Sequence, residues 1–241
     1  MTPEHLDAVA QATWPPAAMQ TVGPWTIRDG QDGGKRVSAA TARQPVTADK
    51  LPLAEDAMQA LGQTPLFMVR HGDDALDTML GDAGYQVIDP VNIYAAPLAN
   101  LAKPPPHATT FTIWEPLAIQ LDMWVAGGIG PSRIKVMQRA TMPKTSVFAR
   151  DGQRPAATGF AAIHDGTAMV HALEVTPSCR RRGMGRHVMQ KAAIWAQDHG
   201  ASHIAALCTQ DNAGANALYA SLGMALVGQY HYRIQHKAQT T

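Results

Sequence analysis

An excess of charge of either sign is what this sequence most lacks. Its 20 Lys and Arg stand against 19 Asp and Glu, for a formal charge of +1, so no overall field exists to hold a polyanion by counterion release. Nucleic acid is therefore not the expected partner. Only two cysteines occur, Cys179 and Cys208; they show no metal-ligand spacing and are too few for a disulfide framework, so both are expected to stay reduced. No uninterrupted apolar run approaches the ~18 residues of a membrane span, and the start, MTPEHLDAVAQATW, shows no basic stretch followed by an apolar one. The expectation is a soluble cytoplasmic protein with no membrane partner. Aromatic residues are few, at 6%, and no acidic run marks a polyamine site. Trp114, Trp124, Tyr230 and Tyr232 are the aromatics available to line a pocket.

What is present is core-forming material. At 241 residues and 46% hydrophobic content, the chain suffices for one large domain or two small ones. The stretch ANLAKPPPHATT holds three consecutive prolines, which favour an extended segment and cannot continue a helix or a central strand. It predicts a linker over residues 104–112 between a lobe at 1–103 and a second domain at 113–241. In that second part, Leu117, Leu121 and Trp124 at helical spacing predict a helix over 116–126, stopped by Gly127 and Gly128. TSVFAR, ATGFAAIH and AMVHALEV are short apolar runs separated by DGQRP and DG, the pattern of three antiparallel strands. A helix follows over 185–199, with Val188, Met189, Ala192, Ala193, Trp195 and Ala196 on one face and Gly200 as its stop. HIAALC then predicts a buried strand, NAGANALYASLG a helix closed by Gly223, and ALVGQYHYRI a final strand pair or bent strand.

The two halves echo one another. The stretch from PLFMVRHGDD parallels the one from IAALCTQDNA with a constant offset, so that Gly84 lies under Gly223, Leu80 under Tyr219 and Val87 under Leu226. If the first half is a second copy, it has lost the arginines and the tyrosine.

Between strand and helix lies RRRGMGR, residues 180–186, four arginines around two glycines. A helix N-terminus offers unpaired amides and the positive end of the macrodipole, which suits a pyrophosphate. Gly183 and Gly185 permit close backbone approach, and arginines at the rim add charge-assisted hydrogen bonds. A Walker loop would need Gly-Lys-Ser/Thr, yet Arg186 and His187 follow Gly185; a dinucleotide loop would need a third glycine where Val188 stands. Taken alone, the run reads as a solvated basic turn.

Three elements taken together resolve it. Arg180-x-x-Gly183-x-Gly185 follows a strand, Asn212-x-x-Ala215-x-x-Leu218-Tyr219 lies downstream, and Leu222-Gly223-Met224 closes the helix. In this order they resemble the GNAT superfamily of acyl-coenzyme-A-dependent N-acetyltransferases. The resemblance covers about residues 114–234 and is best from Val147 onward. It implies an α/β (α+β) fold, a mixed and mainly antiparallel twisted sheet flanked by helices, with the internal echo pointing to two tandem lobes. It also implies acetyl-CoA as cofactor and an amine acceptor, a small molecule or a peptide, in a monomer or homodimer. The diphosphate of coenzyme A would lie on the turn formed by Arg180, Arg181, Arg182, Gly183, Met184, Gly185 and Arg186. The pantetheine arm would pair with backbone groups of Leu173 and Val175, and Asn212 would touch the cofactor.

For chemistry, the resemblance implies that Tyr219 protonates the departing thiolate, against the reading of an amphipathic core tyrosine. An ammonium with a pKa of roughly 10.4 must lose a proton before it can attack. His171 and Glu174 are the candidate bases, and strict strand alternation places them on opposite faces, His171 with Leu173 and Val175. Histidine at this place resembles serotonin-type members, glutamate diamine-type ones. His171 is the preferred base, with a hydrogen-bonded core histidine as the equal alternative; Glu174 reads better as a carboxylate paired to an arginine. His199 and His203 have i, i+4 spacing, but Gly200 interrupts the helix, so no metal is expected. Cys179 reads as a small structural residue. The alternative function from another class is a non-catalytic acyl-CoA sensor or scaffold that keeps the turn.

Overall fold

A computed structural model describes residues 1–106 and 109–235; residues 107 and 108 of the proline-rich stretch lie outside it. The elements run α1 (Pro3–Thr13), β1 (Ala18–Val22), β2 (Trp25–Asp29), α2 (Lys35–Ser38), β3 (Thr41–Ala42), α3 (Leu51–Ala60), β4 (Leu66–Val69), α4 (Asp74–Asp82), β5 (Gln86–Pro97) and α5 (Leu98–Leu101). They continue with β6 (Thr110–Ile113), α6 (Ala118–Ala126), α7 (Pro131–Arg139), β7 (Lys144–Asp151), β8 (Arg154–His164), β9 (Thr167–Val175), α8 (Met184–Asp198), β10 (His203–Thr209), α9 (Ala213–Ser221) and β11 (Ala225–Ile234). This is an α+β fold with a mixed, mainly antiparallel sheet.

Two compact units form. One joins Met1–Pro15 to Ile93–Val227; the other joins Pro16–Asn92 to the chain from Gly228 onward. The units thus part within β5 and β11, and α5 before the prolines and β6 after them belong to the same unit. The division expected at residues 104–112 is not where the compact units separate. The physical reason is burial: Leu6, Val9, Trp14, Tyr94, Leu98 and Leu101, all outside residues 113–241, are core residues of the unit that those residues build.

In the first unit β6, β7, β8 and β9 pair antiparallel in sequence order, and β10 adds parallel to β9. The parallel step needs a crossover, which α8 supplies. Its apolar stripe is the one expected: Val188, Met189, Ala192, Ala193, Trp195 and Ala196 are all buried. They close a core with Val147, Ala149, Ala157, Ala161, Val170, Ile204 and Ala206. Helices α1 and α6 pack on β8 and β9. Strand β6, unforeseen in the sequence, is a four-residue edge strand whose residues alternate between half-buried and exposed.

In the second unit β1, β2 and β3 form a small antiparallel sheet, and β4 pairs antiparallel with β11 from His231 to Ile234. Trp25, Ile27, Met58, Phe67, Leu76 and Leu80 fill its core. The internal echo has a structural counterpart. Helices α4 and α9 have equal length and the 139-residue offset of the sequence match, and β5 and β11 start with that same offset. Each helix ends alike, on Gly84 (φ 85°) or Gly223 (φ 73°), where the left-handed region excludes side chains at little cost only for glycine. The amides of Tyr85 and Met224 then turn back to the carbonyls of Leu80 and Tyr219.

Candidate functional site

The site begins with an irregularity in β9. Register with β8 runs through Phe160↔His171 and then Thr158↔Glu174, so one residue is extra on β9. Ala172 absorbs it at φ 51°, and its carbonyl accepts a hydrogen bond from Trp124 Nε1 at 2.8 Å. A bulge of one residue reverses the alternation that follows it. Val170, Leu173 and Val175 accordingly all meet the core cluster under α8, while His171 meets α1 and Glu174 meets the end of α6. This corrects the sequence expectation: His171 and Glu174 share a face, and His171 does not share one with Leu173 and Val175.

The same irregularity ends a ladder. Among the described residues, β9–β10 register stops at Val170↔Ala206, although β9 continues to Val175 and β10 to Thr209. Beyond that point β9 pairs with β8 alone, through Glu174 and Val175. Its other edge presents main-chain donors and acceptors, the row to which an extended ligand adds as a further strand.

The arginine-glycine turn follows. Cys179 and Arg180 amides close a short turn onto Thr176 and Pro177 carbonyls, Arg181 takes φ 61°, and Gly183 caps α8 at φ 80°. His187 is the residue whose amide reaches Gly183 O, so the amides of Met184, Gly185 and Arg186 precede the first intrahelical acceptor. The two glycines have different reasons. Gly183 needs the left-handed backbone. At Gly185 a Cβ would come within 3.1 Å of Leu218 Cδ2 and 3.7 Å of Val175 Cγ2, so its role is to let α9 and β9 close on the helix.

Three of the four arginines are tethered. Arg180 donates through Nε to Val175 O at 3.1 Å and pairs with Glu174 at 3.3 Å; Arg182 pairs with Asp151 at 2.7 Å. Arg186 donates to Ser221 Oγ at 3.0 Å. These are exposed contacts that contribute little to stability but aim guanidinium groups around the turn. His187, not singled out from sequence, packs beside Gly183 with Nδ1 buried and without a partner among the described residues. Burial, and secondarily Arg186, lower its pKa.

Asn212 is the N-cap of α9, its Oδ1 accepting from Ala215 N at 3.0 Å. The neighbouring Asn216 stitches the preceding loop, donating to the carbonyls of Thr209, Gln210 and Asn212 while its Oδ1 accepts from Tyr94 O–H at 2.9 Å. Tyr219 is buried in the α8-side core with its ring 5.5 Å from that of Tyr94. His171 lies on the other face, against α1.

Glu174 does have the arginine partner expected, and it explains Gly127 beyond a helix stop: a Cβ there would fall 2.7 Å from the Glu174 carboxyl carbon. His171 is 5% exposed. Its Nε2 meets Thr13 Oγ1 at 2.8 Å, and the Trp14 ring tilts over it with centroids 5.0 Å apart. Neither Thr13 nor Trp14 carries any local signal, since their role depends on a contact across more than 150 residues. Cys179 is buried, and burial pushes the Cys208 thiol up to about 11. Among the described residues no cluster suited to a metal ion occurs, and His199 and His203 turn instead to Trp195 O and Ser202 Oγ. Nor is any helix of the described residues long and apolar enough to cross a membrane.

Residues 119–224, which include the bulged strand, the turn and both asparagines, match the family described as "Acetyltransferase (GNAT) family". The chain carries a GNAT acetyltransferase domain. A Bacillus subtilis (strain 168) relative, the uncharacterized N-acetyltransferase YobR, is 25% identical over 240 residues, spanning 95% of this chain and 97% of its own. A GCN5-related N-acetyltransferase from Kribbella flavida superposes with a TM-score of 0.76 at 18% identity, over 99% of this chain and 97% of that one. A tandem GNAT protein from the clavulanic acid biosynthesis pathway gives 0.61 at 14% identity, over 95% and 86%. The GNAT fold of these neighbours thus extends along nearly the whole chain, beyond the matched domain. The family is one of acyl-CoA-dependent N-acetyltransferases acting on amines.

Proposed function

We propose that the protein transfers an acetyl group from acetyl-CoA to a primary amine by direct attack in a ternary complex. The observation that carries this is the pairing of an unladdered edge on β9 with a turn, one loop later, whose Met184, Gly185 and Arg186 amides precede the first intrahelical acceptor. An acyl-CoA has two matching parts in succession, an amide-bearing arm that ends in the thioester and, at the other end of that arm, a diphosphate. Amides of Met184, Gly185 and Arg186 would bind the diphosphate, with Arg180, Arg181, Arg182 and Arg186 at its rim. Main-chain groups of Leu173 and Val175 would hold the arm, and a Val175 amide would polarise the carbonyl as charge develops on its oxygen. Asn212 would orient the cofactor end of α9. The nitrogen–carbon bond forms as the carbon–sulfur bond breaks. His171 takes the proton lost by the amine, directly or through water, and Tyr219 gives one to the departing sulfur. Glu174 holds Arg180 in this reading and is not the base.

The lobe built mainly from residues 16–92 is proposed to be a degenerate copy, because its α4–β5 repeats the α9–β11 motif without the arginine-glycine turn or a tyrosine at Leu80. Thiol release across a panel of amines tests the assignment. His171→Ala is expected to lower kcat by about 100-fold or more, and Tyr219→Phe by about 10-fold or more; Glu174→Gln should stay within about threefold, as expected for an exposed ion pair. Thermal stabilisation by acetyl-CoA with no thiol released from any amine would instead favour a non-catalytic acyl-CoA sensor.

A further inference from the structure

We propose that Thr13 is a positioning residue for His171, holding the imidazole as its Nε2–H tautomer so that Nδ1 is the nitrogen that takes the proton from the amine. This rests on the reading of His171 as the base.

The argument is one of counting protons. The Thr13 hydroxyl, in the last turn of α1, donates its single proton to Val9 O at 2.7 Å. A carbonyl can only accept, so both short contacts of Oγ1 are hydrogen bonds only when that proton points at Val9 O. The same oxygen lies 2.8 Å from His171 Nε2. It has only lone pairs left to offer there, so Nε2 must carry hydrogen. In the neutral ring the lone pair is then on Nδ1. In the imidazolium Nε2 still donates to Thr13, so the bond survives both states and proton exchange takes place at Nδ1.

Burial makes the contact selective. Thr13 is 1% exposed, so water has little access to replace a lost partner, and an unpaired Nε2–H would keep its full desolvation cost. Trp14 and Phe160 fix the ring plane, with centroids 5.0 and 6.2 Å away and tilts of 34° and 30°. The elements packed on β9 bring charged or titratable groups: Glu4, His5 and Asp7 on α1, Asp122 on α6, Arg154 and His164 on β8; of these His5 is held at Thr167 and Asp165, while on β9 itself Glu174 pairs with Arg180.

The experiment uses the full chain and two independent readouts. In the wild type, imidazole ¹⁵N–¹H correlation spectra at neutral pH should show His171 protonated at Nε2. Thr13→Val keeps the shape but removes the acceptor. It should lower kcat about 10- to 100-fold with KM for acetyl-CoA unchanged, and move the acid limb of the kcat profile to lower pH, because the imidazolium loses its acceptor. Thr13→Ser should restore both, and the wild-type spectrum decides even if the valine variant folds poorly. An Nδ1–H tautomer in the wild type, or a folded Thr13→Val enzyme with unchanged kcat and pH limb, overturns the proposal while leaving the base assignment standing. Full activity in His171→Ala overturns both, and only that outcome does so.

Discussion

His187 shows how a single residue at the turn couples chemistry to stability. Its pKa is lowered by burial and by Arg186, so the folded protein binds fewer protons than the unfolded chain once pH drops below the unfolded value of about 6.5. The sign follows directly: the stability is fully present above that pH and is lost as pH falls through the lowered folded pKa. Urea unfolding of wild type between pH 7.5 and 5.5 should show declining stability, and His187→Gln should flatten that decline. An equal decline in the variant would remove His187 as its source. Other residues were legible without structure for local reasons. Gly183, Asn212 and the glycine closing α9 act within four residues of themselves, and sequence spacing records that. Thr13 and Trp14 act on His171 through the fold, which no spacing encodes.

Among elements, β9 is where pattern reading and structure part company. Its apolar run marks it as a strand, and α8 shows its buried stripe in full, because both signals repeat along the element. The bulge breaks a period once, at an alanine with no preference for φ 51°, and so inverts every assignment after it. The close fit of β8 to α8 offers a test at this scale. Gly159 lies opposite the bulge, and a Cβ there would sit 3.0 Å from Cγ1 of the fully buried Val188. Val188 is stiff at χ1, so Gly159→Ala is expected to cost about 1–3 kcal/mol by overpacking. Chemical denaturation measures this; an unchanged midpoint would mean that α8 yields freely.

At the scale of the whole molecule, the sequence's most visible punctuation, three prolines, does not divide the fold. The course of α1 and of β5 does, since both enter the unit that contains the GNAT domain. A fragment of residues 113–241 should therefore fail to unfold cooperatively, lacking Leu6, Val9, Trp14, Tyr94, Leu98 and Leu101 from its core; a sharp calorimetric transition would contradict that. The central claim concerns the turn at residues 180–186 and the unladdered edge of β9. A crystal structure of the protein with coenzyme A tests it most directly. The diphosphate should lie within hydrogen-bonding distance of the Met184, Gly185 and Arg186 amides, with the pantetheine arm along Leu173 to Val175; coenzyme A bound elsewhere, with this turn left bare, would contradict the account.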